Sequence, residues 1–218
     1  IGFEAAGVVE AIGEGVSDVA VGDRVAYCPV LGSYTQARLV DAAMLVPLPD
    51  SISDEQAAAG LLKGMTAQYL LRQVTNTKAG DTVVVHAAAG GVGSLASQWA
   101  QHLGANVIGV VSTDEKAELA RAQSCAHIVM ADSPDIAAEV RALTDGEGVA
   151  AVYDSVGRDT FVSSLDALRP HGVMITFGNA SGPVDAFAPA ELAKRHSLYV
   201  TRPVLFDFID TRERLLEA

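Results

Sequence analysis

Ala88, Gly90 and Gly93 stand at the spacing of a G-x-G-x-x-G loop, with alanine in its first place, directly after the β-branched run Val83-Val84-Val85-His86. Small residues there let the main chain turn tightly, approach a pyrophosphate and seat a helix on a strand. The N–H groups that follow, those of Gly91 and Val92 among them, open a helix with no carbonyl one turn back, so together with the helix dipole they attract an anion. About 20 residues past such a loop, an enzyme that reads a ribose 2′-hydroxyl usually carries Asp or Glu at the end of the next strand. Here that place reads Ser112-Thr113-Asp114-Glu115-Lys116. A hydroxyl at Ser112, Thr113 beside it and a cation one helical turn on at Lys116 suit a 2′-phosphate, which a carboxylate at Ser112 would repel. The cofactor expected is therefore NADPH rather than NADH. Asp114 argues the other way, and Ser112 with Glu115 also spells a capping box.

The elements around these residues decide whether the loop is more than an ordinary tight turn. From Val92 the apolar residues Leu95, Ala96, Trp99, Ala100 and Leu103 recur at helical spacing, Gly104 stops the helix, and Val107-Ile108-Gly109-Val110-Val111 supplies a second buried strand. A complete strand, helix, strand unit is the context the glycine pattern requires. Beyond it strand and helix keep alternating. A helix is predicted over 117–123, a strand over 127–131, and a helix over 136–143 capped by Ser133 with Pro134 in its first position. A strand over 149–154, a helix over 160–168 and strands over 172–178 and 198–201 follow. Such alternation specifies an α/β fold with a doubly wound parallel sheet, in which ligands gather at the carboxyl ends of the strands. Ser112, Ser155 and the turn Phe177-Gly178-Asn179 should then line one crevice.

Residues 1–50 read differently. Short strands are predicted over 6–12, 21–27 and 34–40, separated by glycine turns. Ser53-Asp54-Glu55-Gln56 is a capping box that opens a helix to about Leu62, and a second helical pattern covers 66–74.

Composition excludes several classes. A formal net charge of −12 without any Lys/Arg run opposes broad binding to nucleic acid or to an anionic membrane. The longest apolar runs are broken well before the ~20 residues of a membrane span. Cys28 and Cys125 form neither a CxxC nor a disulfide framework, so reduced thiols and the cytoplasm are expected. The five histidines fall singly on separate elements without metal-ligand spacing, so no metal is expected.

Five motifs in order resemble the zinc-independent quinone oxidoreductases of the medium-chain dehydrogenase/reductase superfamily, the group that includes zeta-crystallin. They are Gly2-Phe3-Glu4-Ala5-Ala6-Gly7, Val21-Gly22-Asp23-Arg24-Val25, Lys63-Gly64-Met65-Thr66-Ala67-Gln68-Tyr69-Leu70-Leu71, His86-Ala87-Ala88-Ala89-Gly90-Gly91-Val92-Gly93 and Tyr153-Asp154-Ser155-Val156-Gly157. The resemblance implies part of a β-rich GroES-like catalytic domain over 1–62, a Rossmann NADPH-binding domain over 63–201, and the start of a return to the catalytic domain over 202–218. It also implies that chain is missing at both ends, including residues that close the substrate pocket, and that the protein is a homodimer. Carried over residue by residue, it places Tyr69 beside the nicotinamide, Gly90, Gly91, Val92 and Gly93 at the pyrophosphate, and Ser112, Thr113 and Lys116 at the 2′-phosphate. Ser155, Phe177, Gly178 and Asn179 would run along the cofactor. Ala131 stands where close relatives commonly have tyrosine near the adenine. Phe3 stands where zinc alcohol dehydrogenases have histidine, and a phenyl ring cannot ligate zinc.

The activity implied is metal-free transfer of reducing equivalents from NADPH to a quinone or other conjugated carbonyl, with Tyr69 as pocket wall or proton donor. Core packing is the competing role for Tyr69. Two alternatives stand beside quinone reduction. One is an enoyl or enone reductase on the same scaffold; the other is an NADPH-binding structural protein without turnover.

Overall fold

The computed structural model describes residues 1–218. The chain separates into two compact units, Ile1–Thr66 with Leu205–Ala218, and Ala67–Val204.

In the first unit β1 (Ala5–Val8), β2 (Arg24–Tyr27) and β3 (Leu45–Pro47) form an antiparallel sheet in the order β1-β2-β3. Val19, Val25, Tyr27 and Leu45 make its small core. The strand predicted over 34–40 is a loop instead, and the third strand lies at Leu45–Pro47. Alternation alone does not make a strand, because its N–H and C=O groups need a neighbouring ladder. This segment satisfies itself locally: Thr35 Oγ1 donates to the Ala37 carbonyl at 2.9 Å, and Arg38 reaches the Val30 carbonyl while lying over the Tyr27 ring. Leu39 is 97% exposed, and of the segment's apolar residues only Val40, at its end, packs against the small core.

The capping box forms as predicted: Gln56 N–H donates to Ser53 Oγ at 3.2 Å, and Ser53 N–H to Gln56 Oε1 at 2.9 Å. Two helices were expected there, but α1 runs unbroken over Asp54–Gln68 and passes into π-helical turns over Tyr69–Val74. Tertiary anchoring overrides the weak helix propensity of Gly60 and Gly64. The Glu4 carboxylate accepts Leu62 N–H at 2.8 Å and Lys63 Nζ at 2.7 Å, pinning the helix between the two glycines. The terminal helix, Arg212–Glu217, begins with Arg212 bonding the carbonyls of Ala43 and Leu45.

The second unit is built on β4 (Thr82–His86), β5 (Asn106–Val111), β6 (His127–Met130), β7 (Val149–Asp154), β8 (Leu168–Thr176) and β9 (Tyr199–Thr201). All pair in parallel, in the order β6-β5-β4-β7-β8-β9. From the first of these strands the order runs outward both ways, so β4 and β7 flank the switch point where a doubly wound sheet opens its ligand crevice. Valines 83, 84 and 85 are at most 1% exposed, as strands covered on both faces must be. Helices α2 (Gly91–His102) and α3 (Asp114–Gln123) pack together over β4, β5 and β6; α4 (Ile136–Ala142) and α5 (Phe161–Ala167) form the other pair. The cap expected from Ser133 and Pro134 falls later. Asp135 is the N-cap of α4, non-helical at φ −150° and ψ 82°, and its carboxylate accepts Ala138 N–H at 2.9 Å. No helix is long and apolar enough to cross a membrane.

Candidate functional site

The turn between β4 and α2 is shaped by atoms that leave no room for side chains. Ala87 sits in the left-handed region at φ 52° and aims its carbonyl back under the helix start, where Gly90 N–H donates to it at 2.8 Å. A Cβ on Gly93 would lie 2.2 Å from that same carbonyl oxygen, and one on Gly90 3.0 Å from it. Gly90 is the N-cap with an extended backbone, and the first intrahelical bond is Ser94 N–H to the Gly90 carbonyl. The N–H groups of Gly91, Val92 and Gly93 precede that bond and point out of the helix as an anion cradle. The spacing read from the sequence thus corresponds to a packing requirement: only glycine at 93 lets α2 approach the turn.

At the end of β5, Lys116 Nζ lies 3.1 Å from Ser112 Oγ, so the cation and the hydroxyl converge on one point. The competing Ser112–Glu115 capping box does not form. Thr113 is the N-cap of α3, extended at φ −145° and ψ 159°, and its Oγ1 accepts Lys116 N–H at 3.3 Å. Moving the cap one residue on leaves Ser112 Oγ free of capping duty and available beside the lysine. The nearby acids belong to the helix start: Glu115 is held below the usual carboxylate range, first by a hydrogen bond from the Thr113 side chain and then by its own backbone N–H. Asp114 occupies the first helical position, exposed.

The loops after β7 and β8 are locked together. Ser155 C=O accepts Ala180 N–H at 3.2 Å, Phe177 N–H donates to the Asp154 carbonyl at 2.9 Å, and a Cβ on Gly178 would fall 2.4 Å from Ser155 O. Ser155 and Phe177-Gly178-Asn179 therefore form one wall at the carboxyl edge of the sheet, and Ser112 lies on the same edge, at the end of β5. Beneath that wall lies a group the sequence reading missed. Asp154, fully buried, accepts Val156 N–H (2.7 Å), Gly157 N–H (3.0 Å), Thr160 Oγ1 (2.7 Å) and Ser164 Oγ (2.9 Å). His86 Nε2 is 3.0 Å from Ser164 Oγ. The available signal was the Asp-Ser-x-Gly run closing a strand, an Asx-turn pattern.

Burial lowers the His86 pKa below its ordinary 6.5, and the Asp154 charge only partly opposes this. Because the folded protein keeps His86 neutral, the unfolded chain binds the extra proton first. Stability is full above about pH 6.5 and is lost as pH falls from there toward the lower folded value. Thermal melts should show the melting temperature declining over that window in wild type and less steeply in His86→Gln.

Tyr69 opens the π-helical turns and is 2% exposed; burial, partly opposed by the positive charge of Arg202, pushes its phenol up to about 12. At neutral pH it is a proton-bearing phenol. No His, Cys, Asp and Glu side chains gather into a set of three that could hold a metal ion.

Two family profiles match: the alcohol dehydrogenase GroES-like domain over residues 1–50 and the zinc-binding dehydrogenase domain over 91–217. A quinone oxidoreductase of Pseudomonas aeruginosa is 49% identical over 99% of this chain and 66% of its own length. The chain belongs to the quinone oxidoreductase family of medium-chain dehydrogenases/reductases. Among its relatives, a 2-haloacrylate reductase from a Burkholderia species is 50% identical over 100% of this chain and 67% of that protein. The crystal structure of Escherichia coli quinone oxidoreductase complexed with NADPH superimposes with a TM-score of 0.96 at 45% identity, covering 100% of this chain and 67% of that one. The chain thus spans about two-thirds of the length of these quinone oxidoreductase family members.

Proposed function

We propose that this protein reduces quinones with NADPH, by direct transfer from the nicotinamide and without a metal. The observation that carries the reading is the pair Ser112–Lys116, 3.1 Å apart on the carboxyl edge of a sheet whose neighbouring turn is closed to any side chain at Gly93. The residues fit the cofactor: N–H groups of Gly91 and Val92 for the pyrophosphate, Ser112 and Lys116 for the 2′-phosphate, with Thr113 setting the helix start between them. Ser155, Phe177, Gly178 and Asn179 line the cofactor. Bound NADPH supplies the reducing equivalents, and the protein orients it. The GroES-like part is read as 1–62 with the return over 202–218, and the nucleotide-binding domain as 63–201; the two compact units, divided after Thr66 and before Leu205, lie within a few residues of these bounds.

Protons are supplied by water or by a neutral phenol, since quinone oxygens become strongly basic on reduction. Tyr69 suits donation and not abstraction, its phenol being held protonated by burial. Phe3 in place of a ligating histidine supports the metal-free reading. Free, buried Cys28 and Cys125 fit a reducing cytoplasm, and the outer edge of β9, with Tyr199 61% exposed, fits a homodimer that adds a strand there.

A second reading, reduction of a conjugated carbon–carbon double bond, is favoured by the 50% identity to the 2-haloacrylate reductase. Both acceptors present a conjugated carbonyl. NADPH oxidation followed with 1,4-benzoquinone beside a panel of enones and acrylates separates them. Quinone turnover is expected; turnover of the enones or acrylates alone would transfer the assignment to the second reading. Tight NADPH binding with every acceptor left unreduced would make the protein a binding protein.

A further inference from the structure

His86 ends β4 and Asp154 ends β7, the two strands that flank the switch point. The pairing Val85↔Tyr153 carries on to set these two residues side by side, and both are at most 1% exposed. Next to His86 in sequence is the turn that shapes the anion cradle. Next to Asp154 is the loop of Ser155, which in turn seats Phe177–Asn179. The hydrogen bonds between them have only one consistent direction. An ionised carboxylate only accepts, so Ser164 Oγ, 2.9 Å from Asp154 Oδ2, spends its single proton on Asp154. The same oxygen, 3.0 Å from His86 Nε2, must then accept from it. Thr160 likewise donates to Asp154 at 2.7 Å.

We infer that His86, Ser164 and Asp154 form a directed hydrogen-bond chain, with His86 as the neutral Nε2–H tautomer, and that Asp154 is a positioning residue for the nicotinamide nucleotide. Its Oδ1 holds the N–H groups of Val156 and Gly157 and so fixes the loop of Ser155; its Oδ2 is held in place by α5 and, through Ser164, by the end of β4. The two loops that approach the cofactor from opposite sides of the switch point are thereby joined through one carboxylate. This rests on the nucleotide-binding reading above, but its proton arrangement is testable without any nucleotide.

Asp154→Asn is close in shape and keeps an oxygen for Val156 and Gly157. Its Nδ2 donates to Ser164 and Thr160, which reverses the Ser164 hydroxyl toward His86 and leaves Nε2 an acceptor. With no carboxylate to take its proton, Ser164 turns that proton to Nε2 and the variant favours the Nδ1–H tautomer; an Nε2–H retained in it would count against the chain. In the full chain labelled with nitrogen-15, the imidazole shifts of His86 should report Nε2–H in wild type and Nδ1–H in Asp154→Asn. A change in side-chain packing alone does not reverse a tautomer. Titration with NADPH should show about a tenfold loss of affinity in the variant, while His86→Gln, the conservative change that retains a donor to Ser164, should lose less than Asp154→Asn.

An Nδ1–H or a doubly protonated His86 in wild type at neutral pH would overturn the chain. A reversed tautomer with unchanged NADPH affinity would overturn the positioning role. Failure of wild type to bind NADPH, with the tautomers as expected, would instead strike the cofactor reading and take the positioning role with it, leaving the chain intact. Should Asp154→Asn fail to fold, Ser164→Ala serves: the exchange-protected Nε2 proton of His86 should disappear and NADPH affinity fall by a similar factor, and a retained proton or unchanged affinity would count against the inference.

Discussion

Replacing Lys116 with alanine is expected to weaken NADPH binding by about 5- to 150-fold, roughly 1 to 3 kcal/mol, and to leave NADH binding nearly unchanged. The argument is one of charge and place. A 2′-phosphate carries close to two negative charges, and an ammonium group that reaches it forms charge-assisted hydrogen bonds about twice as strong as neutral ones. Lys116 Nζ already sits 3.1 Å from Ser112 Oγ, so the side chain is directed at the end of β5 and little ordering remains to be done on binding. NADH has a hydroxyl where NADPH has that phosphate and loses little. Parallel fluorescence titrations with the two cofactors measure the difference. An equal loss for both would remove Lys116 from the phosphate and with it the cofactor preference. Salt should reduce the wild-type preference as well, because the pair is exposed and screened. Ser112→Ala should show the same selectivity with a smaller loss, since it removes one hydroxyl and no charge.

That this pair was legible in the sequence follows from its locality: Ser112 and Lys116 are four residues apart across a helix start, a spacing at which side chains meet. The second unit was legible for a related reason. Its strands are covered on both faces, so Val83–Val85 shows as an unbroken apolar run and Val107–Val111 as one interrupted only by Gly109, and Gly104 and the glycine turn mark their ends. The first unit was not, because strands of three or four residues on a small core leave only weak alternation, and the segment 34–40 carries as much of it as a true strand does. What separates it from Leu45–Pro47 is the presence of β2 alongside, a non-local fact. The chain His86–Ser164–Asp154 is the extreme case. Ser164 and His86 are 78 residues apart, and the register of two parallel strands and the rotation of α5 must all be known before they meet. Even the helix caps moved, by one residue at Thr113 and by two at Asp135, because the capping position depends on where the backbone leaves the helical conformation.

Gly93→Ala should weaken the binding of both cofactors alike, by on the order of 100-fold, and this shared loss distinguishes the cradle from the phosphate pair. The added methyl would meet Ala87 O at 2.2 Å, Ala87 C at 2.9 Å and Ala88 Cα at 3.0 Å. All three are main-chain or Cα atoms of a turn already held by Gly90 N–H, by Ala88 N–H donating to Val110 C=O at 3.1 Å, and by the left-handed Ala87, so none can swing aside. The amino end of α2 must lift away instead. Lifting it carries the N–H groups of Gly91 and Val92 off the pyrophosphate that NADPH and NADH have in common, and overpacking of this kind costs about 1 to 3 kcal/mol of stability. Gly64→Ala is the matched control. It sits within α1 with nothing within 4 Å of the added methyl, so the same chemical change should raise stability by up to about 1 kcal/mol through helix propensity. Cofactor titration and thermal melts of the two variants read both signs. Wild-type affinity for both cofactors in Gly93→Ala would mean that the pyrophosphate does not rest on this turn.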